Sequence, residues 1–217
     1  MEDLGERDDW PRQPRWLPPV CGILVLLDLY LSHIGNGYTV SRLLIPIVGV
    51  GLLIRCCGDE AAGLRLMPER GWRYWIRIAL IFAGIVLVAV LVFAAYVGIA
   101  KVEYPIPTVP PSNIGRTLVH ACFVAPVVEE GTYRIVLCAA LVPLLGTWGT
   151  VIVGGLVFSA LHLIYGNPGP DNMIAGFLLT WAYLRSRTVL VPWLYHAGGN
   201  FLATVSQVVS WYVLNAQ

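Results

Sequence analysis

The chain has 217 residues, of which 57% are hydrophobic and 12% charged, and its formal net charge is +1 at pH 7. A soluble domain would carry roughly twice that charged share, so the apolar excess points to lipid as the solvent. The balanced charge gives no basic surface for nucleic acid.

Residues 1–16 are polar and of mixed charge, with no small-residue cleavage site after a short apolar run. They are expected to be a cytoplasmic tail, and the first apolar helix is expected to stay as an anchor. Apolar segments then fall at about 17–34, 40–55, 75–100, 117–145, 148–165, 171–186 and 188–212. Spans need about 20 residues, somewhat fewer if short or tilted. In a bilayer the backbone must satisfy itself, which makes these segments helices, and nothing alternates as a barrel strand would. The expected fold is therefore all-α: a polytopic transmembrane bundle of seven spans, or eight with a short C-terminal element. Pro126 and Pro143 break up the segment 117–145 into a kinked helix or a helix with an interfacial piece. The chain divides into the tail 1–16, N-terminal helices and loops over 17–114, and a core over 115–212.

Arginine distribution sets the orientation. Arg7, Arg12 and Arg15 precede the first segment, Arg55, Arg65, Arg70, Arg73 and Arg77 cluster around the second loop, and Arg185 and Arg187 lie between the last two segments. Seven spans put all three clusters on the cytoplasmic face and the proline-rich loop 101–115 outside. Thirteen of the fourteen basic residues are arginine, which points to a GC-rich genome and a bacterial inner membrane. The five cysteines, at 21, 56, 57, 122 and 138, show no CxxC spacing. They read as small hydrophobic residues rather than a disulfide or zinc framework. Cys56 and Cys57 are juxtamembrane and open to acylation, with plain packing as the alternative.

Ionisable side chains inside apolar segments are expensive and mark function. Glu129 and Glu130, as neighbours, point about 100° apart on a helix. Arg134 follows Glu130 by four residues, the spacing of an intrahelical ion pair. Such a pair neutralises Glu130 and leaves Glu129 as the free carboxylate, placed to act as a general base. The alternative is an ion-pair cluster that only joins helices. His162 ends a small-residue segment and either shares activation of a water with Glu129 or bonds a backbone carbonyl near a helix end. His196 and Asn200 share one helical face, with Ala197, Gly198 and Gly199 between them. They supply two donors for an oxyanion, or polar hydrogen bonds in small-residue packing. Asp28 is a further acid inside the first apolar segment, and His33 and His120 lack matching partner spacing; all three read as structural, through lateral packing or an interfacial position.

Three motifs in order resemble the CPBP family, also called the CAAX protease and bacteriocin-processing or Abi family. They are EExxxR at Glu129–Arg134, FxxxH at Phe158–His162 and HxxxN at His196–Asn200. The resemblance covers roughly residues 115–205. It implies a glutamate-dependent intramembrane endopeptidase, similar to CAAX prenyl proteases. In that reading Glu129 and His162 activate water, and His196 and Asn200 stabilise the oxyanion. Glu130 and Arg134 support the site, and Phe158 shapes its wall. The chain departs from the family pattern only in the seventeen residues after Asn200, which leave little room for a full further span. The implied partner is a membrane-associated protein or peptide in the lipid bilayer, and no cofactor is expected. Zinc on Glu129, His162 and His196 is the alternative, although these residues lack the HExxH spacing and come from three separate segments. Two further readings are a non-catalytic scaffold or immunity-type binder of the same fold, and a carrier using the glutamates as a proton relay. No internal repeat supports the carrier.

Overall fold

A computed structural model describes residues 13–34, 40–164 and 167–215. The tail up to residue 12, with Arg7 and Arg12, lies outside the described residues. Six helices make up the architecture among the described residues, and the one β contact is an isolated bridge between Leu64 and Thr188. The helices are α1 (Leu17–Ile34), α2 (Val40–Cys57), α3 (Gly71–Ala100), α4 (Pro111–Ile164), α5 (Pro170–Ser186) and α6 (Leu190–Asn215). The protein is an all-α membrane helical bundle.

The fourth helix is not straight. Gly146 adopts φ 65° and ψ −175°, a conformation that a residue with a Cβ avoids. Arg134 and Phe158 each stand twelve residues from Gly146, and the Arg134 guanidinium carbon lies 4.6 Å from the Phe158 ring centre. A continuous rod would separate these residues by about 36 Å. The helix therefore folds back on itself, and its limbs 111–145 and 147–164 run side by side.

Seven or eight spans are expected from the sequence, but among the described residues three stretches are long and apolar enough to cross a membrane by length and composition: Leu17–Ile34, Gly71–Ala100 and Pro111–Ile164. Part of the difference is the hairpin, which joins two expected spans into one stretch of 54 residues. At 17 residues α5 is short for a span. In α6 the apolar run is interrupted by His196, Asn200, Ser206, Gln207 and Ser210. A short element after α6 is not seen among the described residues.

Close packing fixes the limbs and α5. A Cβ on Gly176 would lie 2.8 Å from the Gly155 carbonyl oxygen and 3.0 Å from Phe158 Cβ. Only a hydrogen at residue 176 lets α5 approach this closely. The main core joins α1, α2, both limbs of α4 and α5 through buried Leu17, Leu53, Val136, Phe158 and Tyr183. A smaller aromatic cluster, with Trp75, Phe82, Trp181 and Tyr195, ties α3 to α5 and α6.

The arginine-bearing connections meet at one end. The Thr188 hydroxyl donates to the Arg65 carbonyl at 2.6 Å, Glu69 N–H donates to Ser186 O at 2.9 Å and Val189 N–H donates to Gly63 O at 2.8 Å. The loop before α3 is thus stitched to the turn between α5 and α6. The proline-rich connection docks elsewhere, with Val109 N–H donating to the Gln207 carbonyl at 3.2 Å.

Candidate active site

The first limb of α4 reaches the site through two wide, π-helical turns, His120–Val124 and Glu130–Val136. Such turns change the phase of the side chains that follow and recur at functional sites. They also leave carbonyls in need of donors. In the first turn Ala125 N–H donates to His120 O. The next bond of that series would run from residue 126 to Ala121 O, but residue 126 is proline and has no N–H. The Asn200 side chain fills the gap, its Nδ2 donating to Ala121 O at 2.7 Å. A carbonyl only accepts, so this contact also fixes which end of the Asn200 amide is which. In the second turn the Cys138 thiol donates to Tyr133 O at 3.7 Å.

Glu129 ends the short regular stretch between these turns, and Glu130 opens the second turn. Both are buried. The pairing read from the four-residue spacing is present, with Arg134 Nε 3.0 Å from Glu130 Oε2. The two atoms do not meet hydrogen-bond geometry, so the contact is an ion pair. The guanidinium also lies over the Phe158 ring, which adds cation–π attraction in a dry setting.

Glu130 has a second partner that sequence reading did not assign. His196 places Nδ1 2.8 Å from Glu130 Oε1 and Nε2 3.8 Å from Glu129 Oε2. One guanidinium can balance one carboxylate, and His196 is the other group that lies against both. Glu129 Oε2 is buried and makes no hydrogen bond among the described residues.

His162 arrives on the second limb. Its Nδ1 lies 3.0 Å from Phe158 O, and because that carbonyl only accepts, Nδ1 carries the proton and the neutral ring keeps its lone pair on Nε2. The carbonyl contact and a base-competent nitrogen thus coexist in one side chain. Phe158 is the hub: its ring centre is 4.4 Å from that of His162 and 6.0 Å from that of His196. His162 is also within electrostatic reach of Glu129.

All three motifs therefore converge, although Asn200 sits a turn further along α6 with one amide hydrogen engaged. Among the described residues no group of three or more His, Cys, Asp or Glu side chains is arranged to hold a metal ion. Sequence reading also missed Tyr133, whose hydroxyl donates to Asp28 Oδ2 at 2.6 Å, and Arg42, which grips the same carboxylate. Asp28 and Arg42 are opposite charges in adjacent apolar segments, and that was the available signal.

No curated protein and no solved structure matches the chain. Residues 111–202, which hold all three motifs, match the family model described as type II CAAX prenyl endopeptidase Rce1-like, the same kind of family that those motifs resemble.

Proposed function

We propose that the protein is an intramembrane endopeptidase of the glutamic type, hydrolysing a peptide bond in a membrane-associated protein or peptide. The observation that carries this reading is the placing of His162 and His196 against Phe158 with Glu129 beside His196, all lying within a segment matched to an endopeptidase family. Glu129 takes a proton from a water that His162 Nε2 helps to orient, and the oxygen attacks the substrate carbonyl. The carbonyl becomes a tetrahedral oxyanion. His196 Nε2, carrying a proton while Nδ1 donates to Glu130, faces that charge. The second hydrogen of Asn200 Nδ2 is the other donor, since the first is held by Ala121 O. Collapse breaks the C–N bond, and the proton on Glu129 passes to the leaving amine. Glu130 and Arg134 hold His196 and the wide turn in place.

This chemistry needs no metal. The catalytic core is assigned to 115–212. The N-terminus is assigned to the cytoplasmic side of a bacterial inner membrane, in keeping with the arginine-bearing connections meeting at one end.

The test is cleavage of a membrane-associated peptide library by purified protein and by Glu129→Ala, each with and without a strong zinc chelator. New amine ends that require Glu129 and survive the chelator are expected. Cleavage lost to chelator and restored by zinc would overturn the metal-free mechanism. Cleavage retained in full by Glu129→Ala would overturn the role of Glu129. Absence of cleavage across the library would favour the non-catalytic binder.

A further inference from the structure

Asp28 and Arg42 lie outside the matched segment 111–202, on α1 and α2. Asp28 has 0% exposure and Arg42 7%. The guanidinium closes on the carboxylate as a fork, Nε to Oδ1 at 2.9 Å and Nη2 to Oδ2 at 2.9 Å. A fork of this kind is enough to join two adjacent helices, yet a third residue is attached to it. The Tyr133 hydroxyl donates to Asp28 Oδ2 at 2.6 Å and lies 3.5 Å from Arg42 Nη2.

Tyr133 belongs to the wide turn Glu130–Val136, directly before Arg134. Its ring meets Phe158 edge-on, with centres 6.1 Å apart and planes at 84°. Phe158 is the side chain against which Arg134, His162 and His196 all rest. Apolar packing alone holds a phenyl ring against translation but gives its edge no unique anchor. A charge-assisted hydrogen bond at the far end of the Tyr133 ring supplies one. The same turn is pressed by α2. A Cβ on Gly131 would fall 2.6 Å from Pro46 Cβ, and a Cβ on Gly49 would fall 2.3 Å from Val136 Cγ2. Helix α2 therefore grips the turn at two points, and the Asp28 fork fixes α2 relative to α1.

We propose that Asp28 and Arg42 are positioning residues for the Glu129–Glu130–His196 site, acting through the Tyr133 hydroxyl, so that the two helices preceding the matched segment are part of the working unit. The chain of contact runs from Asp28 to Tyr133, to Phe158, and then to the two histidines. Its kinetic consequence rests on the endopeptidase reading above; its geometric consequence does not.

The test uses the full chain in detergent micelles, with histidines labelled with nitrogen-15, carrying Tyr133→Phe, Asp28→Asn or both. Tyr133→Phe removes one oxygen and keeps the ring, so it tests the hydroxyl even if Asp28→Asn folds poorly. Two quantities are read: the imidazole nitrogen signals of His162 and His196, and kcat and KM on one cleaved peptide. Tyr133→Phe is expected to move at least one of those signals and to lower kcat about tenfold to a hundredfold with KM little changed, the scale of a small misplacement of reacting groups. Adding Asp28→Asn should lower kcat by clearly less than the product of the two single losses. Unmoved signals with unchanged kcat would show that the network only joins helices and would overturn the proposal. Losses that multiply in the double variant would overturn the route through Tyr133. Signals that move in a protein cleaving no peptide would uphold the positioning role and refute the endopeptidase reading instead.

Discussion

Arg134→Met tests the energetic core of the site. The arginine side chain is 0% exposed and its partner Glu130 is 1% exposed. Removing one member of a buried ion pair costs about 3–5 kcal/mol, because the other charge stays behind uncompensated. Glu130 keeps His196 at 2.8 Å, which places the loss near the lower bound. The vanished cation–π contact with Phe158 restores about 0.5–2 kcal/mol to that cost. A loss of about 4 kcal/mol is large beside the roughly 5–15 kcal/mol that holds a typical domain. Unfolding in mixed micelles of rising SDS content, followed by tryptophan fluorescence, measures it. Glu130→Gln added to Arg134→Met is the decisive companion. The amide oxygen still accepts from His196 Nδ1, but the stranded charge is gone, so at least half of the lost stability should return. A single variant within about 0.5 kcal/mol of wild type, the range of an unimportant surface change, would refute the reasoning. So would a double variant no more stable than the single one.

Asn200→Ala should lower kcat by about 10²–10³ if the side chain supplies one oxyanion donor, and should also destabilise the protein by leaving Ala121 O unpaired. Pro126→Ala restores a backbone N–H for that carbonyl, so the double variant should regain stability in the SDS titration while kcat stays low; joint recovery would show that Asn200 acts only on the backbone. Gly176→Ala should cost about 1–3 kcal/mol through overpacking, because the added methyl meets the Gly155 carbonyl at 2.8 Å; an unchanged unfolding midpoint would show that α5 has room to move. His162→Gln should abolish cleavage while the protein inserts and unfolds normally, and retained turnover would remove His162 from the water-activating role.

The sequence showed the helical class and the residues that converge, because buried charge is rare enough in lipid for each occurrence to count. Glu130 and Arg134 could be paired from spacing alone. The partition of His196 between two carboxylates could not, since α6 meets α4 through tertiary packing that no local pattern encodes. Gly146 looked like any glycine in an apolar run; its positive φ is visible only once the limbs are seen to touch. Asn200 was readable as a donor, but its acceptor depended on a wide helical turn whose missing bond is set by Pro126. Asp28 reads as structural by default, and its partner Arg42 stands on the next helix, where no spacing within one segment reveals it.

The hairpin at Gly146 also governs the order in which the site is made. Glu129, Arg134, Phe158 and His162 lie on one continuous run of chain, so their contacts close over short sequence separations as soon as both limbs are inserted. His196 is supplied by α6, which is synthesised after α5 has been threaded. Until it arrives, Glu130 has Arg134 but Glu129 has no histidine from α6 against it. On the proposed endopeptidase reading, the nascent protein would therefore carry an incomplete site through most of its synthesis, and hydrolytic competence would appear only when α6 docks beside the wide turns.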